Sequence, residues 1–545
     1  MHDQRKVREE LDAHTTACRR AEVSQFASEY NTLLQQRSDY QTEHNVDALQ
    51  SISALLHKAP HAYTMYNYRR EVLLHLWDNR EEKDTTIITR KEEKENDTET
   101  KTVETITEKR KVDWLKEELK FSSSVILCDH KGYAAFLHRK WVFMHIRQHA
   151  EFILTTLAAA NKNNTDKDSR ENDLNSEKKC PEEVCFWVSA LLKEKKQCES
   201  LLAVDERNFH AWNYRRWVLE ELAQMEEVLL QYSIQLTDII NSVGSTLEKK
   251  QEEEKEKEKK EEAALFTLDE LKELRFTTAM VRQNFSNYSA WHQRGVIFRA
   301  ALQRLHDLPA INNNNNNNNI KTEVYNCGYC AIVREAWQQI STDLALLIAA
   351  IYCDPLDQSA WYYAQFLEQA AQSLQSLSVC NCQLSIELVD VTGQLIDACT
   401  ELITEERSSG EMDSSWPRLY LLNALIAAHN NNNNNNNNEN NNMDKRGIPM
   451  MVIRLARKIY AALHPDDVCD EKEEKKCKDT SSHNDKVEDM HMNSDNNNNN
   501  DNRIYTRCVE DLVAQLLQAD PLRTGMYNDL CADALRPIQL TEIGE

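Results

Sequence analysis

Four side chains stand where anion chemistry is available: Lys131, Tyr133, Asn208 and His210. They fall at the starts of two helix-like segments, and a helix start offers unpaired backbone amides and the positive end of the helix dipole. Lysine, tyrosine, a carboxamide and imidazole all donate hydrogen bonds, so the set suits an anion. Plainer roles stand beside this one. A loop lysine is ordinarily just solvated, Asn208 is the type that caps a helix, and Tyr133 shares its slot with Tyr63, Phe209 and Tyr288, where packing is the simpler use. Other chemistry is poorly supplied. Cys327 and Cys330 have CxxC spacing with Cys380 and Cys382 near in sequence, but no second pair completes a zinc ribbon, so these read as free thiols. There is no Ser/His/Asp arrangement, and no GxGxxG or GxxxxGKS/T loop to cradle a nucleotide.

The elements that must position these residues form a repeat. The stretch Asp205-Glu206-Arg207-Asn208-Phe209-His210-Ala211-Trp212-Asn213-Tyr214-Arg215-Arg216-Trp217-Val218 returns in weaker copies, anchored on Tyr66, Phe136, Trp212, Trp291 and Trp361. Three residues after each of the first four anchors stands Arg69, Arg139, Arg215 or Arg294, whereas the fifth copy has Ala364. Residues three apart share a helix face, so each of those copies presents an aromatic ring beside a guanidinium. The rings are expected in the core between repeats, and the arginines in bonds between neighbouring helices. Asn208, Asn287 and Asp357, four residues before their anchors, predict helix starts. The copies cover residues 58–75, 129–146, 205–222, 284–301 and 354–371. A helical unit that cannot bury its own apolar face must stack on its neighbours, so the pattern predicts an all-α solenoid of helical hairpins with its helix starts along one edge.

Composition narrows the classes further. The 545 residues include only nine glycines, far below an average usage of about 7%, which disfavours glycine-cradle folds. A formal net charge of −24 argues against nonspecific nucleic-acid binding. Fifteen scattered cysteines, and an opening Met1–Val7 without an apolar signal core, predict a reducing, cytoplasmic setting. No apolar run approaches the roughly 18 residues of a membrane span. Polar or asparagine-rich insertions occupy about 81–111, 161–182, 248–262, 312–319, 429–442 and 470–502. They stretch the anchor spacing to 70–79 residues, beyond the roughly 34–47 of common helical hairpin repeats, so the whole of 1–545 is expected to be one repeat domain with loops hung on it.

At Asp205–Val218, Asn284–His292, Asp354–Trp361, Asn67–Leu73, Asp520–Arg523 and the opening Met1-His2 with Lys6-Val7, the chain resembles the protein prenyltransferase alpha subunits, in particular those of the Rab geranylgeranyltransferase (type II) kind. The resemblance runs to about residue 536 apart from the insertions. It implies a right-handed α-α superhelix, a crescent of helix pairs around a beta subunit that carries the catalytic zinc and the isoprenoid tunnel. It further implies a Rab GTPase substrate delivered by an escort protein, with a C-terminal cysteine thiolate attacking geranylgeranyl diphosphate, and no cofactor held by this chain alone.

Residue by residue, Lys131 and Tyr133 match the family's diphosphate-contacting lysine and tyrosine, and Asn208 and His210 match the asparagine and histidine of the next repeat. On that match Lys131, Tyr133 and His210 are expected to be catalytic, and Lys131, Asn208 and His210 to bind diphosphate. His2 matches a histidine that can reach the partner's zinc in type II subunits; a terminal histidine is otherwise ordinary. Trp212, Arg215, Trp291, Arg294 and Trp361 match structural repeat positions. The second copy departs, with Phe136-Leu137 where the family has an aromatic and a histidine. Two alternatives stand beside the type II reading: the alpha subunit shared by farnesyltransferase and type I geranylgeranyltransferase, and a non-catalytic scaffold of the same fold.

Overall fold

A computed structural model describes residues 13–38, 44–92, 98–164, 180–236, 239, 264–308, 328–377, 387–410, 414–436, 450–464 and 494–542. These residues form sixteen α-helices and one short 3-10 turn, with no strand among them. The chain divides into two compact units, Met1–Glu256 and Lys257–Glu545.

In the first unit the helices are α1 (Ala13–Arg37), α2 (Val46–Lys58), α3 (Tyr63–Glu92), α4 (Thr98–Cys128), α5 (Tyr133–Asn164), α6 (Glu182–Val204) and α7 (Phe209–Gln231). The pairs α2/α3, α4/α5 and α6/α7 are three successive hairpins. Much of the charged 81–111 stretch, expected as a spacer, is helical backbone, since α3 runs to Glu92 and α4 begins at Thr98. Extending an existing helix costs far less than nucleating one, so Glu/Lys/Thr-rich sequence can follow from a packed helix without burying a face of its own.

Each hairpin turns in four residues, and the third shows how. The Asp205 N–H closes the end of α6 on Leu201 O at 3.1 Å, and the Asn208 N–H returns to Asp205 O at 3.1 Å. Asn208 Oδ1 then accepts from the His210 and Ala211 amides at 3.1 and 3.2 Å, capping α7. The indole of Trp212 bends back to donate to Glu206 O at 2.8 Å. Tyr66, Trp291 and Trp361 do the same, to Pro60, Phe285 and Pro355 carbonyls at 3.1, 2.9 and 3.0 Å. The anchor therefore packs the core and closes the turn with its polar end. Phe136 has no such end.

Repeats stack by two devices. In the first unit two anchor rings meet the side chain two positions past the next anchor: Tyr66 with His138 at 5.5 Å and Phe136 with Tyr214 at 5.2 Å between centroids. Arg69 and Arg139 then each clamp two first helices. Arg69 donates to Leu49 O and Ser53 in its own repeat and forks onto Glu118 of the next at 2.8 and 2.6 Å. Arg139 does so to Leu119 O, Ser122 and Glu194. Such planar, paired bonds are what guanidinium offers and lysine does not. Arg215 is likewise buried and bonds Lys195 O and Glu199 within its own repeat.

In the second unit α8 (Leu268–Gln283), α9 (Tyr288–Asp307), α10 (Gly328–Cys353) and α11 (Gln358–Gln375) form the fourth and fifth hairpins. Trp291 faces Tyr363 at 4.7 Å, and Arg294 reaches Leu274 O, Thr278 and Asp343. After them α12 (Val391–Ser409), α13 (Ser415–Asn436), α14 (Met450–Leu463), α15 (Ser494–Ala519), the turn Pro521–Arg523 and α16 (Thr524–Glu542) pack together.

Candidate anion site

Three of the hairpin turns, 59–62, 129–132 and 205–208, are neighbours in the first unit. The first two approach at Gly132, where an added Cβ would lie 3.1 Å from Asp129 O in its own turn and at an ordinary contact distance of 3.4 Å from the Pro60 Cβ. The second and third are strapped by Asn208, whose Nδ2 donates to His130 O at 2.8 Å. The third position of each turn carries a nitrogen base or cation, His61, Lys131 and Arg207, and the first helical residue an exposed ring, Tyr63, Tyr133 and Phe209.

The leading carboxylates tie these turns in series. Asp129 Oδ1 accepts the Lys131 amide at 2.9 Å, while Oδ2 lies 2.6 Å from His61 Nε2 of the preceding turn. One repeat on, Asp205 Oδ1 accepts the Arg207 amide at 3.2 Å, and Oδ2 lies 3.3 Å from Lys131 Nζ. The Lys131 side chain is 70% exposed. The Tyr133 ring faces His210 with centroids 5.7 Å apart, and Phe209 packs the same imidazole at 4.0 Å. Burial, followed by the charges of His61 and Lys131, lowers the His210 pKa against the opposing pull of Asp129. A neutral imidazole with a free N–H is a donor that needs no proton from solvent.

Lys131, Tyr133 and His210 thus come together across two adjacent repeats. Asn208 belongs beneath them: it is 2% exposed, with its oxygen used on α7 and its nitrogen on the second turn. Its geometry is that of a cap and strap, and the diphosphate contact expected of it is not its geometry here. Trp212, Arg215, Trp291, Arg294 and Trp361 are all buried in the repeat core. His2, Cys327, Cys380 and Cys382 lie outside the described residues. Among the described residues no group of three or more His, Cys, Asp or Glu is placed to hold a metal ion, every cysteine is free, and no helix is long and apolar enough to cross a membrane.

Below the site, His138 is sealed in the repeat interface. Its Nε2 lies 2.9 Å from Glu118 Oε2, and its Nδ1 accepts from Arg70 Nε at 3.3 Å, which assigns the neutral ring with the proton on Nε2. Burial lowers the His138 pKa, outweighing the carboxylate that favours its charge. Burial alone would raise Glu118, but the bond from His138 and the Arg69 guanidinium overcome it and hold the carboxyl at about 2. Sequence reading left Glu118, Glu194 and Asp343 among many acids, because what distinguishes them is a partner about 50 residues away. It also passed over His61, since turn 1 opens with Ala59 and does not look like the other turns; alignment on the anchor Tyr66 brings His61 into register with Lys131.

Comparison with known proteins agrees with this architecture. The family model described as protein prenyltransferase alpha subunit repeat matches residues 115–146, 191–222 and 271–301. The geranylgeranyl transferase type-2 subunit alpha of Rattus norvegicus is 23% identical over 369 residues. The chain carries three copies of the protein prenyltransferase alpha subunit repeat. For the rat relative the aligned stretch is 67% of this chain but 41% of its own length, so the chain spans about two fifths of that relative. Proteins of the same name from Candida albicans and Saccharomyces cerevisiae are 24% and 22% identical, over 59% of this chain in each case and 60% and 58% of their own lengths. The three matched segments each join the end of a first helix to the start of its partner, so they contain the second, third and fourth turns described above.

Proposed function

We propose that the chain is the alpha subunit of a type II protein geranylgeranyltransferase, working in the cytoplasm with a prenyltransferase beta subunit. The observation that carries this reading is the meeting of Lys131, Tyr133 and His210 on two strapped turns. The names of the relatives supply the chemistry to which such a donor set would be put.

In the reaction a C-terminal cysteine of a Rab GTPase, presented by an escort protein, attacks C1 of geranylgeranyl diphosphate. The sulfur–carbon bond forms as the C1–oxygen bond breaks, and its electron pair leaves on the diphosphate. When bound, the partner's zinc supplies the cysteine in its thiolate form. This chain acts at the other end of the breaking bond. Lys131 would exchange its Asp205 contact for a phosphoryl oxygen, while Tyr133 and His210 donate neutral hydrogen bonds to the same group. Donors already fixed by helix caps need little reorganisation as charge develops, which is where preorganisation has most effect. Asn208 serves by holding the second and third turns together. A contact of His2 with the partner's zinc remains part of the proposal, and its readout is a changed visible spectrum of the cobalt-substituted heterodimer on His2→Ala.

Co-expression with a prenyltransferase beta chain tests the reading. The expected result is a co-purifying heterodimer that transfers geranylgeranyl to Rab plus escort protein and not to a short CAAX peptide. Transfer to the peptide instead would point to the alpha subunit shared by farnesyltransferase and type I enzymes. A dimer without either transfer would leave a scaffold.

A further inference from the structure

The geometry points to His61 as a further anion-contacting residue, standing beside Lys131 and His210 on the first of the three neighbouring turns; the inference rests on the anion-site reading above. Turn 1 has the backbone of turn 2, since the Ala62 N–H returns to Ala59 O at 3.1 Å as the Gly132 N–H does to Asp129 O at 3.0 Å. Position for position, His61 therefore occupies the place of Lys131, one repeat earlier. Its side chain is 67% exposed, and its Nε2 is held 2.6 Å from Asp129 Oδ2.

That carboxylate is itself fixed by the Lys131 amide, at 2.9 Å, so the ring is oriented by the turn that carries the neighbouring cation. Nδ1 makes no hydrogen bond among the described residues. In the doubly protonated ring Nε2–H donates to Asp129, and Nδ1–H is left for an anion. Lys131 stands in the same relation to Asp205 at 3.3 Å. The arrangement is a series: each side chain is held on the carboxylate of the next turn and can be shared with a ligand bearing two phosphoryl groups. A diphosphate has more charged oxygens than one ammonium can meet, and a second charged donor one turn away supplies the remainder. The charges of His61 and Lys131 both bear on the His210 ring, so the three groups act on one region.

The test uses the heterodimer reconstituted with a prenyltransferase beta chain, with co-elution checked for every variant. Single-turnover transfer to Rab and inhibition by inorganic pyrophosphate are measured for wild type, His61→Gln, His61→Lys and Lys131→Ala. A positioned donor in a solvent-open site is expected to be worth about tenfold in rate. His61→Gln should therefore slow transfer by that factor and weaken pyrophosphate inhibition, and His61→Lys should restore both. Wild-type rates in His61→Gln, with Lys131→Ala slowed, overturn the role of His61 and leave the anion site standing. Equal slowing in the Gln and Lys variants with unchanged pyrophosphate inhibition overturns it in favour of packing. Unchanged rates in all three variants remove both readings.

Discussion

The hairpin turns of the first unit and those of the second share one backbone and differ in chemistry. In both, the leading Asp or Asn accepts the amide two residues on, at 2.9 and 3.2 Å for Asp129 and Asp205 and 3.0 and 3.1 Å for Asn284 and Asp354. The caps Asn208, Asn287 and Asp357 are equivalent, and the indoles of Trp212, Trp291 and Trp361 close their turns alike. Yet the third turn position reads His61, Lys131 and Arg207 in the first unit and Ser286 and Leu356 in the second. The scaffold is repeated while the capacity to hold an anion is local. An anion at the helix starts of the second unit would find amides and dipole but no cation at the third turn position.

The comparison is tested most severely where the two units should behave alike. Arg139→Ala and Arg294→Ala each leave a buried carboxylate, Glu194 or Asp343, without its fork. Each should cost about 3–5 kcal/mol, read by urea denaturation with hydrogen exchange assigning the loss to the unit that carries the change. A clear inequality between the two would mean the clamps are not interchangeable.

Acid should separate the units. Glu118 is held at about 2 in the folded chain, below an unfolded carboxyl near 4.5. A depressed carboxylate stabilises the fold above its unfolded pKa, and this contribution, on the order of 3 kcal/mol, is lost as pH falls from about 4.5 to about 2. His138 is depressed as well, and for a base that means the unfolded state takes up the proton first. Stability therefore already falls as pH drops below about 6.5. His145, lowered to about 4 mainly by burial and also by Lys111, adds to the same limb. The position of His138 relative to Glu118 is filled by Tyr363 relative to Asp343, 20 residues on in each case. Exchange protection measured between pH 7 and 5 should thus decline first in the first unit, and His138→Tyr should flatten that limb.

Function should separate them again. Lys131→Ala is expected to lower the single-turnover transfer rate about a hundredfold with lipid affinity nearly intact, whereas Leu356→Ala at the equivalent turn should leave the rate unchanged. The smallest effect is at the caps. Asn208→Ala and Asn287→Ala should each lose about 1 kcal/mol in thermal unfolding. Asn208→Ala should also slow transfer, because Asn208 straps the Lys131 turn.

The repeat is legible in the sequence because its signals are local: an aromatic, an arginine three residues on and a cap four before all lie within one turn or two of helix. Helix starts at Phe209, Tyr288 and Gln358 follow from Asn208, Asn287 and Asp357, and the burial of Trp212, Arg215, Trp291 and Arg294 from their spacing. Asn208 was legible as a cap, whereas the reach of its other end to His130 was not, because that contact spans 78 residues. The same holds for Asp129 with His61, Asp205 with Lys131 and the choice of Glu118, Glu194 and Asp343 among 89 acids.

The sequence by itself determined the repeating unit, because helix propensity, capping and the aromatic-arginine face are properties of a few adjacent residues. Only the tertiary structure decided which charges meet. Stacking brings the third residue of one turn against the first residue of the next, and the distance along the chain between them is set by helices and insertions whose length carries no chemical information.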